Sequence, residues 1–410
     1  SRISSSSFGV RYSPSGFIFD NAGCSIFIND KDLKYLTSFL CSRLAFEFLE
    51  ILNPTITFQV GDIGKLPIIF SENSEIKTLV DTIADECILI SRRDWDSFET
   101  SWDFQLHPFL QHRTDGRISS AFNSWKTFTE SQFNQLKSNE EELNRLFIEI
   151  YGLQDEMTPE VEDKDITIRK ADLERDIKSF ISYSVGCMMG RYSLDSPGLT
   201  YAGGNFDLSK YKTFPADDDG IIPVLSADWF DDDIVARFID FLRVTFGSEN
   251  LYENIDFIAS VLGKTGNETS RERIRKYFLN DFYKDHVRIY QKRPVYWLFT
   301  SGKNKAFNAL IYLHRYDKST IAKMRIDYLH ELQGRLEIAE KHARENLAQM
   351  KDAREKKQTE KKLSEIAAHK DELRKYDELV RHMADMQVEI DLDDGVVVNY
   401  EKFKGLVGKI

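Results

Sequence analysis

The spacing of apolar positions changes several times along the chain, and each change marks an element. Residues 1–70 carry short apolar segments broken by turn signals at Ser13-Pro14-Ser15-Gly16 and Asn21-Ala22-Gly23, which predicts a β-rich region. One helix is expected within it, N-capped at Asp30 or Asp32, with Leu33, Leu36, Phe39, Leu40, Leu44 and Phe48 on one face. Asn53-Pro54 closes that helix, and Thr55–Val60 reads as a strand. From Ser74 the period becomes helical, through Ile76, Leu79, Val80, Ile83, Cys87 and Ile90. Residues 118–152 give a second helical stretch, ending at Gly152.

A polar stretch, Asp155–Asp165, reads as a linker. Beyond it the pattern predicts a helix around Ala171–Met189, a Gly- and Pro-rich loop at Ser196–Asn205, and helices ending near Phe246 and Leu262. The alternating run Val295-Tyr296-Trp297-Leu298-Phe299, the turn Ser301-Gly302-Lys303-Asn304 and a second apolar run to Leu313 predict a β-hairpin. Its tip is expected to present Lys303 and Lys305.

Residues 320–390 contain no Pro and a single Gly, Gly334. Ile321, Met324, Tyr328, Leu332, Leu336 and Ala339 recur every three or four residues. So do Leu363, Ile366, Leu373, Leu379 and Met383, with Lys370 interrupting. Two long helices folded as an antiparallel hairpin are expected. A short apolar segment, Val396–Val398, and a final helical turn close the chain. The expected class is α+β, predominantly helical.

Composition narrows the function classes. The chain has 410 residues, 41% hydrophobic and 30% charged, enough for sizeable cores. No apolar run approaches the ~20 residues of a membrane span, so no membrane contact is expected. The four cysteines, Cys24, Cys41, Cys87 and Cys187, lie far apart without a CxxC pair, which suits reduced thiols in a cytoplasmic protein. The start at Ser1 is read as the interior of a longer protein.

The net charge of −12 conceals an asymmetry. Residues 215–262 hold eleven acidic and two basic side chains; residues 264–318 hold thirteen basic and five acidic ones.

Catalytic patterns were sought in turn. Gly263-Lys264-Thr265 has Ile258 where a phosphate-binding loop needs its first glycine, so it reads as a helix stop. Asp217-Asp218-Asp219 and Asp231-Asp232-Asp233 read as loop and helix-start carboxylates rather than a metal site. Asp62, Glu75 and Lys77 fit nuclease spacing loosely, yet Glu75 and Lys77 fall in the first turn of a helix. His107 and His112 lack metal-ligand spacing. Asn53-Pro54-Thr55-Ile56 lacks the second proline and the aromatic with which amino-methyltransferases grip a base. No catalytic centre, no metal and no cofactor are expected within this chain.

The positive signals are cations interleaved with aromatics. Arg271, Arg273, Lys276, Lys292, Arg293, Lys303 and Lys305 form one candidate DNA-contacting set, able to neutralise phosphates without reading sequence. Arg11, within the serine-rich opening Ser4–Ser13, offers a fork for guanine. The opposing reading is a solvated basic face whose aromatics are core.

Several blocks together carry a family resemblance. Ile51–Ile63 with Leu66-Pro67-Ile68 looks like the end of a target recognition domain, and Glu142–Leu153 like the helix that follows it in restriction-modification specificity subunits. Ser182–Asp195, Lys292–Phe299 continuing to Leu313-His314-Arg315-Tyr316, and Asp393–Tyr400 resemble the PglX family, adenine-specific DNA methyltransferases of BREX (bacteriophage exclusion) systems. The resemblance implies a target recognition portion at 1–70, a helical spacer at 71–154, and a mixed domain with a basic DNA-facing region at 155–319. A helical hairpin at 320–390 and a tail at 391–410 follow. It further implies that S-adenosyl-L-methionine binds in a missing N-terminal part, that double-stranded DNA is the partner, and that the parent chain marks host DNA. Other BREX proteins and an acidic phage protein mimicking DNA are further partners to expect. The alternative is a scaffold that docks defence proteins through its helical C-terminal region.

Overall fold

The computed structural model describes residues 8–19, 23–53, 55 and 57–410. Its contacts divide the chain into two compact units, one of Ser1–Asp96 with Lys126–Ala171, the other of Ser97–Trp125 with Asp172–Ile410.

The first unit is helical. Its described residues contain no named strand, so the β-rich expectation for residues 1–70 is not met. The single helix expected there is two, Asp30–Cys41 and Arg43–Leu52, because Ser42 takes extended dihedrals and its hydroxyl caps the second helix by accepting from Ala45 N at 3.3 Å. The break shifts the helical phase: Leu49 is fully buried, and Phe48 packs half-buried against the same core. The expected strand at Thr55–Val60 lies partly outside the described residues, and Val60 itself opens a short helix, Val60–Ile63. Short apolar runs bounded by turns do not distinguish a buried strand from a buried helical turn.

The helix expected from Ser74 runs to Asp96, and that from 118 is Ile118–Ile150. In this unit Val80, Ile83, Leu143, Leu146 and Phe147 share one core with Tyr35, Phe39, Leu44 and Leu49.

The second unit is built around Leu173–Met189, in which twelve of seventeen residues are buried, so the helix has almost no solvent face. Asp172 caps its start, and Gly190, at φ 78°, closes its end with Arg191 N bonded to Gly186 O at 2.8 Å. The predicted β-hairpin is present as antiparallel strands Tyr296–Thr300 and Asn308–Tyr312, and Ile221–Pro223 adds antiparallel on the far side of the second strand. Along the open edge, Thr300 N donates to Leu406 O and Gly408 N to Leu298 O, both at 2.8 Å, so the C-terminal residues cover it.

The long hairpin is also present, with arms Thr320–Gln349, carrying a π-helical turn at Met324–His330, and Ala353–Met386. Arg325 holds Asp377 bidentately at 2.7 and 3.1 Å, and Lys370 meets Glu340 at 2.8 Å, which fixes an antiparallel register. That ion pair explains why a lysine can interrupt the apolar stripe. Leu379, placed on the stripe by spacing, is 54% exposed; Tyr376 and Val380 hold the inner face instead. The hairpin's inner face packs with Trp297, Phe299, Ala309 and Ile311 of the sheet.

Leu373 is fully buried in that core. Leu373→Ala is expected to lower unfolding stability by roughly 2–5 kcal/mol through lost burial and a residual cavity. Denaturant titration would show it as a drop in midpoint at unchanged slope.

Candidate nucleic-acid interface

The basic candidates of the second unit sit on three successive supports. Arg271, Arg273, Arg275 and Lys276 lie on the helix Ser270–Tyr277, started by a capping box between Thr269 and Glu272. A π-helical turn, Phe278–Phe282, joins it to Tyr283–Ile289. Lys292 and Arg293 follow in a turn where Gln291 and Lys292 both have positive φ. Lys303 and Lys305 sit in the hairpin loop.

Their surroundings separate them. Arg275 reaches inward: Nη1 donates to Leu225 O and Asp233 Oδ2, and Nη2 to Asp233 Oδ1, all at 2.8 Å, with Asp228 also in contact. Asp233 is 1% exposed and caps the helix Ile234–Phe246. Arg271 lies 3.6 Å from Asp228, and Lys264 3.7 Å from Asp256. Part of the acidic–basic asymmetry is therefore consumed inside the unit, where the two segments neutralise each other. Lys276 meets Glu268 at 2.5 Å, and Arg273 is half-buried with its Nε unpartnered.

Lys305 does not project from the hairpin tip. Its ammonium donates to Leu279 O at 2.8 Å and Asn280 Oδ1 at 2.5 Å, on the π-helical turn, and burial lowers its pKa. Glu372 of the helical hairpin holds the opposite side of the loop, accepting from Ser301 Oγ at 2.6 Å, Asn304 N at 2.8 Å and Ala306 N at 3.1 Å. The tip is clamped rather than extended, an outcome set by contacts 25–71 positions away that no local pattern displays.

Lys292, Arg293 and Lys303 are exposed, and among the described residues none has a side-chain partner. Lys284 and Arg288, 76% and 74% exposed, were not singled out; their spacing of four with Lys292 is the signal that would have found them. Asp281 and Asp285 accompany them at 3.5 and 2.7 Å.

Arg11 belongs to the other unit. It is exposed, with Nη1 on Val10 O at 3.0 Å, and Ser4–Ser7 lie outside the described residues.

The residues weighed as catalytic hold structural posts. Gly263 ends the helix Leu251–Val261 at φ 82°, and Lys264 donates to Ser270 Oγ at 2.7 Å. Asn53 braces its loop, donating to Thr57 O at 2.9 Å and Asp62 Oδ2 at 2.7 Å. Glu75 and Lys77 open a helix, as expected. The Tyr328 hydroxyl sits between Asp219 at 3.1 Å and Asp232 at 2.7 Å, while Asp217, pushed up to about 7 by burial and its neighbour Asp219, accepts from Gly220 N. Among the described residues no cluster of His, Cys, Asp and Glu could hold a metal, and no helix is long and apolar enough to cross a membrane.

Comparison with known proteins adds what geometry does not. No protein-family model matches the chain. It is 48% identical, over 98% of its length, to an adenine-specific methyltransferase PglX of Lacticaseibacillus casei, strain Zhang. It is 37% identical, over its whole length, to an adenine-specific methyltransferase BrxX of Escherichia coli O9:H4, strain HS. Along nearly its whole length the chain is similar to PglX-type proteins. It spans 34% of the first relative's length and 36% of the second's, so about a third of each.

Two expectations follow from the site. Arg275→Ala leaves Asp233 buried without its counter-charge and is expected to cost about 3–5 kcal/mol, whereas Arg271→Ala, at an exposed pair, should change the same denaturation midpoint little. His286 accepts Val295 N and Tyr296 N on Nε2 at 3.2 and 3.1 Å, and burial lowers its pKa to about 3. A depressed pKa stabilises the fold above the ordinary histidine value, and that stability drains away as pH falls toward 3. Between pH 6 and 5, His286→Gln should remove about 1.4 kcal/mol per pH unit from the slope of stability against pH.

Proposed function

We propose that this chain is the DNA target recognition part of an adenine-specific methyltransferase that marks host DNA in a BREX-type phage-exclusion system. The similarity along the whole chain to two proteins named adenine-specific methyltransferases carries the reading. Lys292, Arg293 and Lys303 supply the charge such a role needs at a surface, since they have no internal partner among the described residues and are available to phosphates. Arg271, held in an exposed ion pair, can exchange its partner for phosphate at small cost, and Lys276 is an exposed cation on the same helix. Arg11 is a separate candidate for base contact from the first unit. S-adenosyl-L-methionine would be held by the remainder of the parent protein, which also supplies the methyl transfer. An acidic phage protein that presents charge as a duplex does would compete for the same cations.

A scaffold role for the helical hairpin has one observation in its favour. A cleft of about 460 Å³ opens beside the first arm, lined by Trp229, Arg335, Ile338 and His342, and Ile338 is 59% exposed.

Fluorescence anisotropy on a labelled duplex across a salt series tests the DNA reading. The logarithm of affinity is expected to fall steeply with the logarithm of salt. Lys292→Ala, Arg293→Ala and Lys303→Ala should each reduce that slope by about one unit. Lys305→Ala should leave the slope nearly unchanged and instead loosen the hairpin loop. No binding at low salt, or an unchanged slope in the triple variant, would refute the assignment.

A further inference from the structure

Arg191 lies two residues past the end of the helix Leu173–Met189, and its guanidinium meets one phenol beside it and one on the sheet. Nε donates to the Tyr192 hydroxyl at 3.1 Å and Nη1 reaches the Tyr312 hydroxyl at 3.4 Å. Both phenols have already spent their protons, Tyr192 on Glu99 O at 3.3 Å and Tyr312 on Tyr201 O at 2.7 Å. Among the described residues no carboxylate lies within ion-pair distance of Arg191, although the residue is largely buried. A buried guanidinium normally has a counter-charge.

The groups around it are donors without acceptors. The hydroxyls of Tyr290 and Tyr296 are buried and make no close hydrogen bond, although the Tyr290 hydroxyl is near enough to the Glu99 carboxyl to lower its pKa. His286, stacked on the Tyr296 ring and tilted against that of Tyr290, both at 4.7 Å, uses Nε2 as an acceptor, so its proton is on Nδ1, which is buried and unpartnered as well. Glu99 accepts from Ser182 on Oε1 and is fully buried; burial raises its pKa while Ser182, Arg191 and Tyr290 pull it back down, and its Oε2 makes no hydrogen bond. A positive charge ringed by hydrogen-bond donors is the complement of an anion. Arg191 and Tyr290 are each partly exposed, and Lys292 and Arg293 follow Tyr290 within three residues.

We propose that Arg191, with the Tyr290 and Tyr296 hydroxyls, is an anion site that takes a phosphate group. The phosphate is that of a DNA backbone or a free phosphate; the first source rests on the DNA reading above, the second does not.

The test titrates the full chain with inorganic phosphate at constant ionic strength, balanced with sodium chloride, reading melting temperature and binding heat. A saturable rise in melting temperature is expected, weakened about tenfold in Tyr290→Phe, which keeps the ring, and abolished in Arg191→Met. Competition with a labelled duplex then separates the sources. Displacement beyond the chloride control, together with weaker duplex binding by Tyr290→Phe, assigns the site to DNA phosphate. Phosphate binding with indifferent duplex binding assigns it to free phosphate, and phosphate binding with no duplex binding at all sinks the DNA reading while this site stands. The proposal is overturned if phosphate gives no saturable rise in the unmodified chain, or if the rise survives undiminished in both variants. It is also overturned if binding appears only in Glu99→Gln, since Glu99 would then be the ionised partner of Arg191.

Discussion

Burial of the strand Asn308–Tyr312 on both faces is the constraint on which the second unit depends. All five of its residues are buried, and it is hydrogen-bonded on both edges. Because side chains alternate across a strand, the pair it forms with Tyr296–Thr300 sends Trp297, Phe299, Ala309 and Ile311 toward the helical hairpin. Tyr296 and Tyr312 go the other way, toward His286 and Arg191. One face thus needs a dry apolar partner and the other a polar one.

The two partners solve this differently. The hairpin contributes Leu332, Leu336, Leu373, Tyr376 and Val380, apolar matter that asks only for complementary shape. The opposite side carries histidine, tyrosine and arginine, whose polar atoms must be satisfied or left costly. His286 binds two strand amides through one nitrogen and so fixes the connection from helix to sheet. Its other nitrogen and two neighbouring hydroxyls are left buried without a close hydrogen bond.

The cations divide along a similar line. Arg275 and Lys305 hold the fold together, one against Asp233 and the other against the π-helical turn. Lys292, Arg293 and Lys303 lie at exposed loop positions where, among the described residues, no side-chain partner meets them. In the sequence all five look alike, since each is a basic residue among aromatics. Only where the chain brings an acid or a carbonyl to meet them do they differ.

Much of this chain is legible without coordinates. Helix periodicity located Ser74–Asp96, Ile118–Ile150, Leu173–Met189 and both arms of the hairpin, because a repeat of 3.6 sustained over four or more turns has few competing readings. Period-two alternation found the β-hairpin, and the quoted blocks of the chain found its relatives. Tertiary structure alone decided the rest. Residues 30–52 became two helices because a single serine left the helical dihedrals and capped a new start. Leu379 was turned outward in favour of Tyr376 and Val380, since the facing arm and the sheet choose which stripe is covered. Lys305 was drawn in by a carbonyl 26 residues away, and Arg191 meets a phenol 121 residues away. Periodicity is a local property of the chain, whereas a charge's partner is set by whichever distant segment the fold lays beside it.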